Sequence, residues 1–216
     1  METLIMQAID TIFTVAILVM SVVIHEVSHG FAALREGDET AKYAGRLTLN
    51  PLRHLDLFGS FIVPLILTVL HTGFPFGWAK PVPYNENNLR DKRWGTLRVA
   101  AAGIIANFSI AIIFGIIVRL AIAFGLIIDP ASPILHIMSL IVLVNIGLGV
   151  FNLIPIPPLD GSKILFSLVG PRIRGVENFM TQYAIIIVAG LIFIIYYFDF
   201  ISPLVLKLFS LMTGFS

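Results

Sequence analysis

Residues 25–29 read His-Glu-Val-Ser-His. On an α-helix, side chains four positions apart lie one turn above one another on the same face. His25 and His29 can therefore offer two imidazole nitrogens to one cation. Glu26, three positions before His29, flanks that face and can reach a water beside the cation without ligating it. This is the H-E-x-x-H pattern, in which two histidines hold zinc and the glutamate is a general base. The pattern also arises by chance on polar helix ends. Here it closes an apolar run, where an ionisable group costs roughly 2.5–3.5 kcal/mol at depth and is rarely kept without a partner.

A catalytic zinc takes three protein ligands and leaves one position open. No third His or Glu follows at close spacing. A second candidate stands at 151–161, Phe-Asn-Leu-Ile-Pro-Ile-Pro-Pro-Leu-Asp-Gly. Pro155, Pro157 and Pro158 predict an extended run, which would hold the Asp160 carboxylate at the membrane edge with Gly161 turning behind it. The competing reading has Asp160 as N-cap of a helix over 162–168.

Composition sets the solvent for these groups. Of the 216 residues, 57% are hydrophobic and 12% charged, with mean hydropathy +0.95. A soluble domain carries about 25% charge, so lipid is the expected surrounding. A net charge of +1 gives no field for nucleic acid, and the absence of cysteine removes disulfides and thiolate sites.

The first apolar run, 4–24, is long enough to cross about 30 Å of hydrocarbon and continues as helix through His29 to a cap at Gly37. Nothing at its start resembles a cleaved signal. Further apolar runs occupy 97–128, 134–154, 183–198 and 201–212, the last too weak to say whether it spans. Basic residues cluster at 35–53, 80–98 and 163–174, which places those loops in the cytoplasm. The short run 57–76, broken by Pro64, must then re-enter rather than cross. Residues 40–50 read as a β-hairpin, and 77–84, with Pro81 and Pro83, as a second extended piece able to pair with it. The expected fold is an all-α polytopic membrane protein of five to six transmembrane helices, with a re-entrant segment and a small membrane-edge β-hairpin or sheet. It forms one domain, 1–216, with its core at about 4–165 and C-terminal helices at about 175–213.

H-E-x-x-H on one membrane helix combined with N-x-x-P-x-P-x-x-D-G on a later one resembles the site-2 proteases, intramembrane zinc metalloproteases. His25, Glu26, His29, Asn152, Pro155, Pro157, Asp160 and Gly161 carry the match. Ala102-Gly103-Ile-Ile-Ala-Asn107 resembles the family's A-G-P-x-x-N element, with Ile104 where proline is usual, and Gly77-Trp-Ala-Lys-Pro-Val82 a segment of its short members, which lack PDZ and CBS domains. The resemblance implies one Zn2+ per chain on His25, His29 and Asp160, with Glu26 as base. It also implies a transmembrane protein as substrate, cut within or near its transmembrane segments; the basic loops then put the active site toward the cytoplasmic side of a membrane, expected to be the cell membrane.

Other polar residues fall around this frame. Asn107 and Asn152 are candidates for substrate backbone or the oxyanion, or else for helix–helix hydrogen bonds. Asn145 reads as structural. His54 and Asp56 read as partners behind the ligands, as a substrate gate, or as an interfacial polar pair. Asp10 has Arg119 as a candidate partner. A zinc hydrolase of another substrate class would share the ligands. A metal-binding scaffold or transporter would not need Glu26.

Overall fold

The structure, a computed structural model, describes residues 2–56, 80–126, 129 and 132–215. Helix α1, Glu2–Arg35, ends where expected: Gly37 adopts a positive φ of 105°, and its N–H reaches the Leu34 carbonyl at 3.1 Å. The hairpin expected at 40–50 does not form. Residues Thr40–Tyr43 make a single helical turn, α2, and no strand occurs among the described residues. The cause is Asp38. Its Oδ1 accepts from the Thr40 N–H at 3.1 Å and hydroxyl at 2.5 Å, which starts a turn where alternation alone suggests a strand.

Asp38 also joins this turn to the chain entering the next helix. It is fully buried and accepts from the Asn85 N–H at 2.7 Å and the Asn88 amide at 2.9 Å. Burial pushes its pKa up, but the bonds from Thr40, Asn85 and Asn88 outweigh that and hold it below the usual carboxylate value. A lowered folded-state pKa gives stability that is present above the unfolded value of about 3.9 and is lost as pH falls through the folded one. Asp38→Asn is therefore expected to cost about 1–3 kcal/mol at neutral pH. Thermal unfolding in detergent across a falling pH series should show the gap to wild type closing in acid.

Helix α3, Lys92–Ala123, is started by Asp91, whose side chain accepts from the N–H groups of Arg93 and Trp94. Helix α4, Pro133–Leu153, stops at the proline run. Four shorter helices come after it: α5, Asp160–Val169; α6, Arg174–Gln182; α7, Ala184–Phe198; and α8, Ile201–Thr213. Central α3 packs against α1, α4, α5 and α8. Ala111 of α3 and Val142, Ile146 and Val150 of α4 form a core, covered by Ile201, Val205, Phe209 and Met212 of α8. With 13 residues, α8 is about 20 Å long, short of the ~30 Å hydrocarbon layer; it pads the bundle.

Among the described residues, Ile9–Arg35, Lys92–Ala123 and Pro133–Leu153 are long and apolar enough to cross a membrane. A fourth crossing is present if Asp160–Gln182 and Ala184–Phe198, bent by 78°, count as one span. The expected five to six spans are thus not reached in these residues, and the 57–76 segment lies outside them. In the apolar windows of the three long helices only 22–33% of residues are buried. Ile112, Ile113 and Ile116 lie exposed on α3, as a lipid-facing surface requires. The protein is a membrane protein. Asp10 faces His136 at 3.8 Å rather than Arg119, which lies against Gly214 at the C-terminal end of α8, where helix carbonyls favour a cation.

Candidate metal centre

Helix α1 turns His25 and His29 inward, and α5 brings Asp160 to meet them across 135 positions of sequence. The two Nε2 atoms are 3.0 Å apart. Asp160 Oδ2 lies 3.1 Å from each of them. All three residues are buried. Asp160 does not cap its helix: it is the first residue of α5, and no side-chain cap bond forms there. The proline run is not extended either. Ile154–Leu159 closes a tight corner, in which the Ile156 N–H bonds the Ile154 carbonyl at 2.8 Å and the Leu159 N–H the Ile156 carbonyl at 2.9 Å. Prolines end α4 because they lack the N–H that another turn needs, and the few free N–H groups left between them close the corner. Gly161 completes the packing. A Cβ there would lie 2.2 Å from the Leu153 carbonyl oxygen, so the corner folds flat on the end of α4 only with glycine at this position.

The far nitrogens of the two rings are also held. His29 Nδ1 sits 2.7 Å from the Val99 carbonyl. A carbonyl only accepts, so Nδ1 carries the proton and Nε2 keeps its lone pair for the shared point. His25 Nδ1 lies 2.6 Å from Asn107 Oδ1. Two imidazole nitrogens and a carboxylate oxygen packed this closely repel one another unless a cation or proton lies among them. Three N/O donors with ring nitrogens supported from behind fit zinc.

Glu26 is half-buried beside the triad. Its Oε2 accepts the Val82 N–H at 2.8 Å. The segment 80–84 is irregular and forms a strap against α1, its Val82 amide engaged by Glu26. Asn107 is fully buried behind His25, with Oδ1 on the ring and Nδ2 donating to Asn145 Oδ1 at 2.8 Å. Both polar atoms of its side chain are thus directed to His25 and Asn145. Asn152 donates to the Leu148 carbonyl of its own helix at 3.0 Å. His54 is buried with Nε2 on the Thr48 carbonyl at 2.8 Å, and its backbone carbonyl accepts the Lys80 N–H at 2.8 Å. It ties the loop after α2 to the strap and is not one of the three converging residues; Asp56 lies two residues further along that loop.

Gly103 carries no functional assignment from sequence, yet α3 presses its backbone there against both rings. A Cβ at 103 would stand 2.6 Å from His25 Cε1 and from His29 Nε2. Neither ring is free to yield, since Asn107 and Val99 hold their far sides. Gly103→Ala is expected to cost about 1–3 kcal/mol of overpacking, relieved by giving up ligand geometry. Zinc affinity, measured by chelator competition, should fall about 10–100-fold while the helix content stays the same.

A bundle of lipid-facing helices around a buried two-imidazole, one-carboxylate centre defines a membrane-embedded metalloenzyme. The profile of peptidase family M50 matches residues 13–129 and 121–196, and the chain belongs to that family. It is a metalloprotease of the site-2 protease type. A Bacillus subtilis protein named "Putative zinc metalloprotease YwhC" is 34% identical over 194 residues, covering 89% of this chain and 81% of that one. Rip2 of Mycolicibacterium smegmatis, described in the same words, is 30% identical over 183 residues, which cover 84% of this chain and 66% of Rip2. No solved structure gives a significant match.

Proposed function

We propose that this protein is an intramembrane zinc protease that hydrolyses peptide bonds within or near the transmembrane segments of membrane proteins. The observation that carries this reading is the convergence of His25 Nε2, His29 Nε2 and Asp160 Oδ2, all within 4.8 Å of one another, inside an apolar bundle. When bound to these atoms, one zinc ion per chain supplies Lewis acidity and brings the pKa of a water toward about 7. The basic loops at 35–53, 80–98 and 163–174 support an orientation with this end of α1 toward the cytoplasmic side of a cell membrane.

The chain's own residues do the rest. The Val82 N–H fixes one oxygen of Glu26 and leaves the other to take a proton from the attacking water. The water oxygen bonds the scissile carbonyl carbon, the C–N bond breaks, and Glu26 returns the proton to the departing amine. The second amide hydrogen of Asn152, not used on Leu148, is a donor for substrate backbone. The lipid-facing helices exclude bulk water, which strengthens each of these interactions.

Incubation of the purified protein in detergent with single-span membrane proteins tests the reading. Cleavage is expected with the holoprotein, should disappear with a zinc chelator and should return with added zinc. Cleavage that survives chelation, or hydrolysis of lipid amides with single-span proteins left intact, would replace this reading with another.

A further inference from the structure

The amides behind His25 form a chain whose direction is set by one backbone carbonyl. Asn145 of α4 is fully buried, and its Nδ2 lies 2.9 Å from the Ile141 carbonyl oxygen and 2.9 Å from Ser21 Oγ. A carbonyl cannot donate, so the nitrogen of Asn145 must face Ile141 and its Oδ1 must face Asn107. That oxygen in turn requires the nitrogen of Asn107, 2.8 Å away, and Asn107 Nδ2 is also directed to the Ser21 carbonyl at 3.5 Å. Asn107 Oδ1 is then the atom left facing His25 Nδ1 at 2.6 Å. An acceptor there requires Nδ1 to carry a proton. The lone pair of His25 is thereby kept on Nε2, the nitrogen 3.1 Å from Asp160 Oδ2.

This direction is not the one the site would choose by itself. Without a metal, a neutral His25 gains more by placing its proton on Nε2, toward the Asp160 carboxylate, than toward a neutral amide. A proton there blocks the ligand position. The amide chain opposes that choice, because an unprotonated Nδ1 would face an acceptor that cannot turn. Turning Asn107 would set its oxygen against Asn145 Oδ1 and the Ser21 carbonyl, and turning Asn145 would set its oxygen against Ile141.

We infer that Asn145, which makes no contact with the ligand triad's converging atoms, is a positioning residue: acting through Asn107, it imposes the Nδ1–H form of His25 and holds Nε2 open for the metal. The inference rests on the zinc reading of the site. Asn145→Leu keeps the volume and removes the acceptor at 2.8 Å, so only the long 3.5 Å contact to the Ser21 carbonyl still opposes Asn107 turning its nitrogen to His25. In the 15N spectrum of histidine-labelled, metal-free protein at alkaline pH, His25 Nδ1 is expected to be protonated in wild type and unprotonated in Asn145→Leu. Zinc affinity of the variant, by chelator competition, should fall about 10–100-fold, as for other losses behind a ligand. An unprotonated Nδ1 in the wild type overturns the inference, whether or not the variant folds. So does a variant that loses zinc affinity with Nδ1–H intact, since that marks a role in packing alone, and so does one with affinity and tautomer both unchanged. If wild type binds no zinc, the functional reading fails, while the wild-type Nδ1 signal still decides the tautomer.

Discussion

Asp160→Ala is expected to purify without stoichiometric zinc and to cleave no substrate above background. The two histidines belong to one helix and would supply two ligands; the third would come from the start of α5, 135 positions away. Without it the site falls below the three protein ligands a catalytic zinc takes, and a bound cation would have no anionic ligand. The loss should exceed the ~10–100-fold that removing a group behind a ligand costs. Damage to the fold is not the cause to expect, because Asp160 makes no cap bond to α5 and alanine is a good helix former. His25→Ala should lose zinc in parallel. Metal analysis of the three proteins, with far-UV circular dichroism as a control, decides the matter. Equimolar zinc in both variants would mean that the two motifs do not share an ion.

Glu26→Gln should separate metal binding from catalysis. Glutamine keeps the oxygen that accepts the Val82 N–H, so the strap and the side chain stay in place and the three ligands are untouched. What disappears is the ability to take and return a proton, worth about 10²–10⁴ in rate. Zinc content equal to wild type, with turnover of a single-span substrate reduced by that factor, is the expected pair of results. A variant that holds zinc and cleaves as wild type does would favour a scaffold in which Glu26 has no chemical task.

Local pattern reaches a good part of this molecule. The apolar runs specify long helices because lipid leaves the backbone no partner but itself, and the stop at Gly37 reflects the freedom glycine has at positive φ. The pair His25 and His29 is readable because helical spacing alone puts both on one face. The hairpin expected at 40–50 is different. Alternation is a weak signal over a few residues, and four hydrogen bonds to Asp38, two of them from residues 85 and 88, override it. The corner at 154–159 is likewise tighter than the prolines alone imply, because Gly161 lets it lie on the end of α4.

The sequence by itself determined the chemical inventory and its solvent: two imidazoles on one helix face, a carboxylate after a proline run, and lipid around both. Only the tertiary structure decided that these groups meet, that Asn107 and the Val99 carbonyl stand behind the two rings, that Gly103 packs against them and that Asn145 bonds Asn107. The physical reason is one of range. Helix period and solvent preference are properties of neighbours along the chain, whereas a lone pair's direction depends on acceptors that α3 and α4 bring up from distant positions. A backbone carbonyl such as that of Val99 leaves no mark in any residue letter.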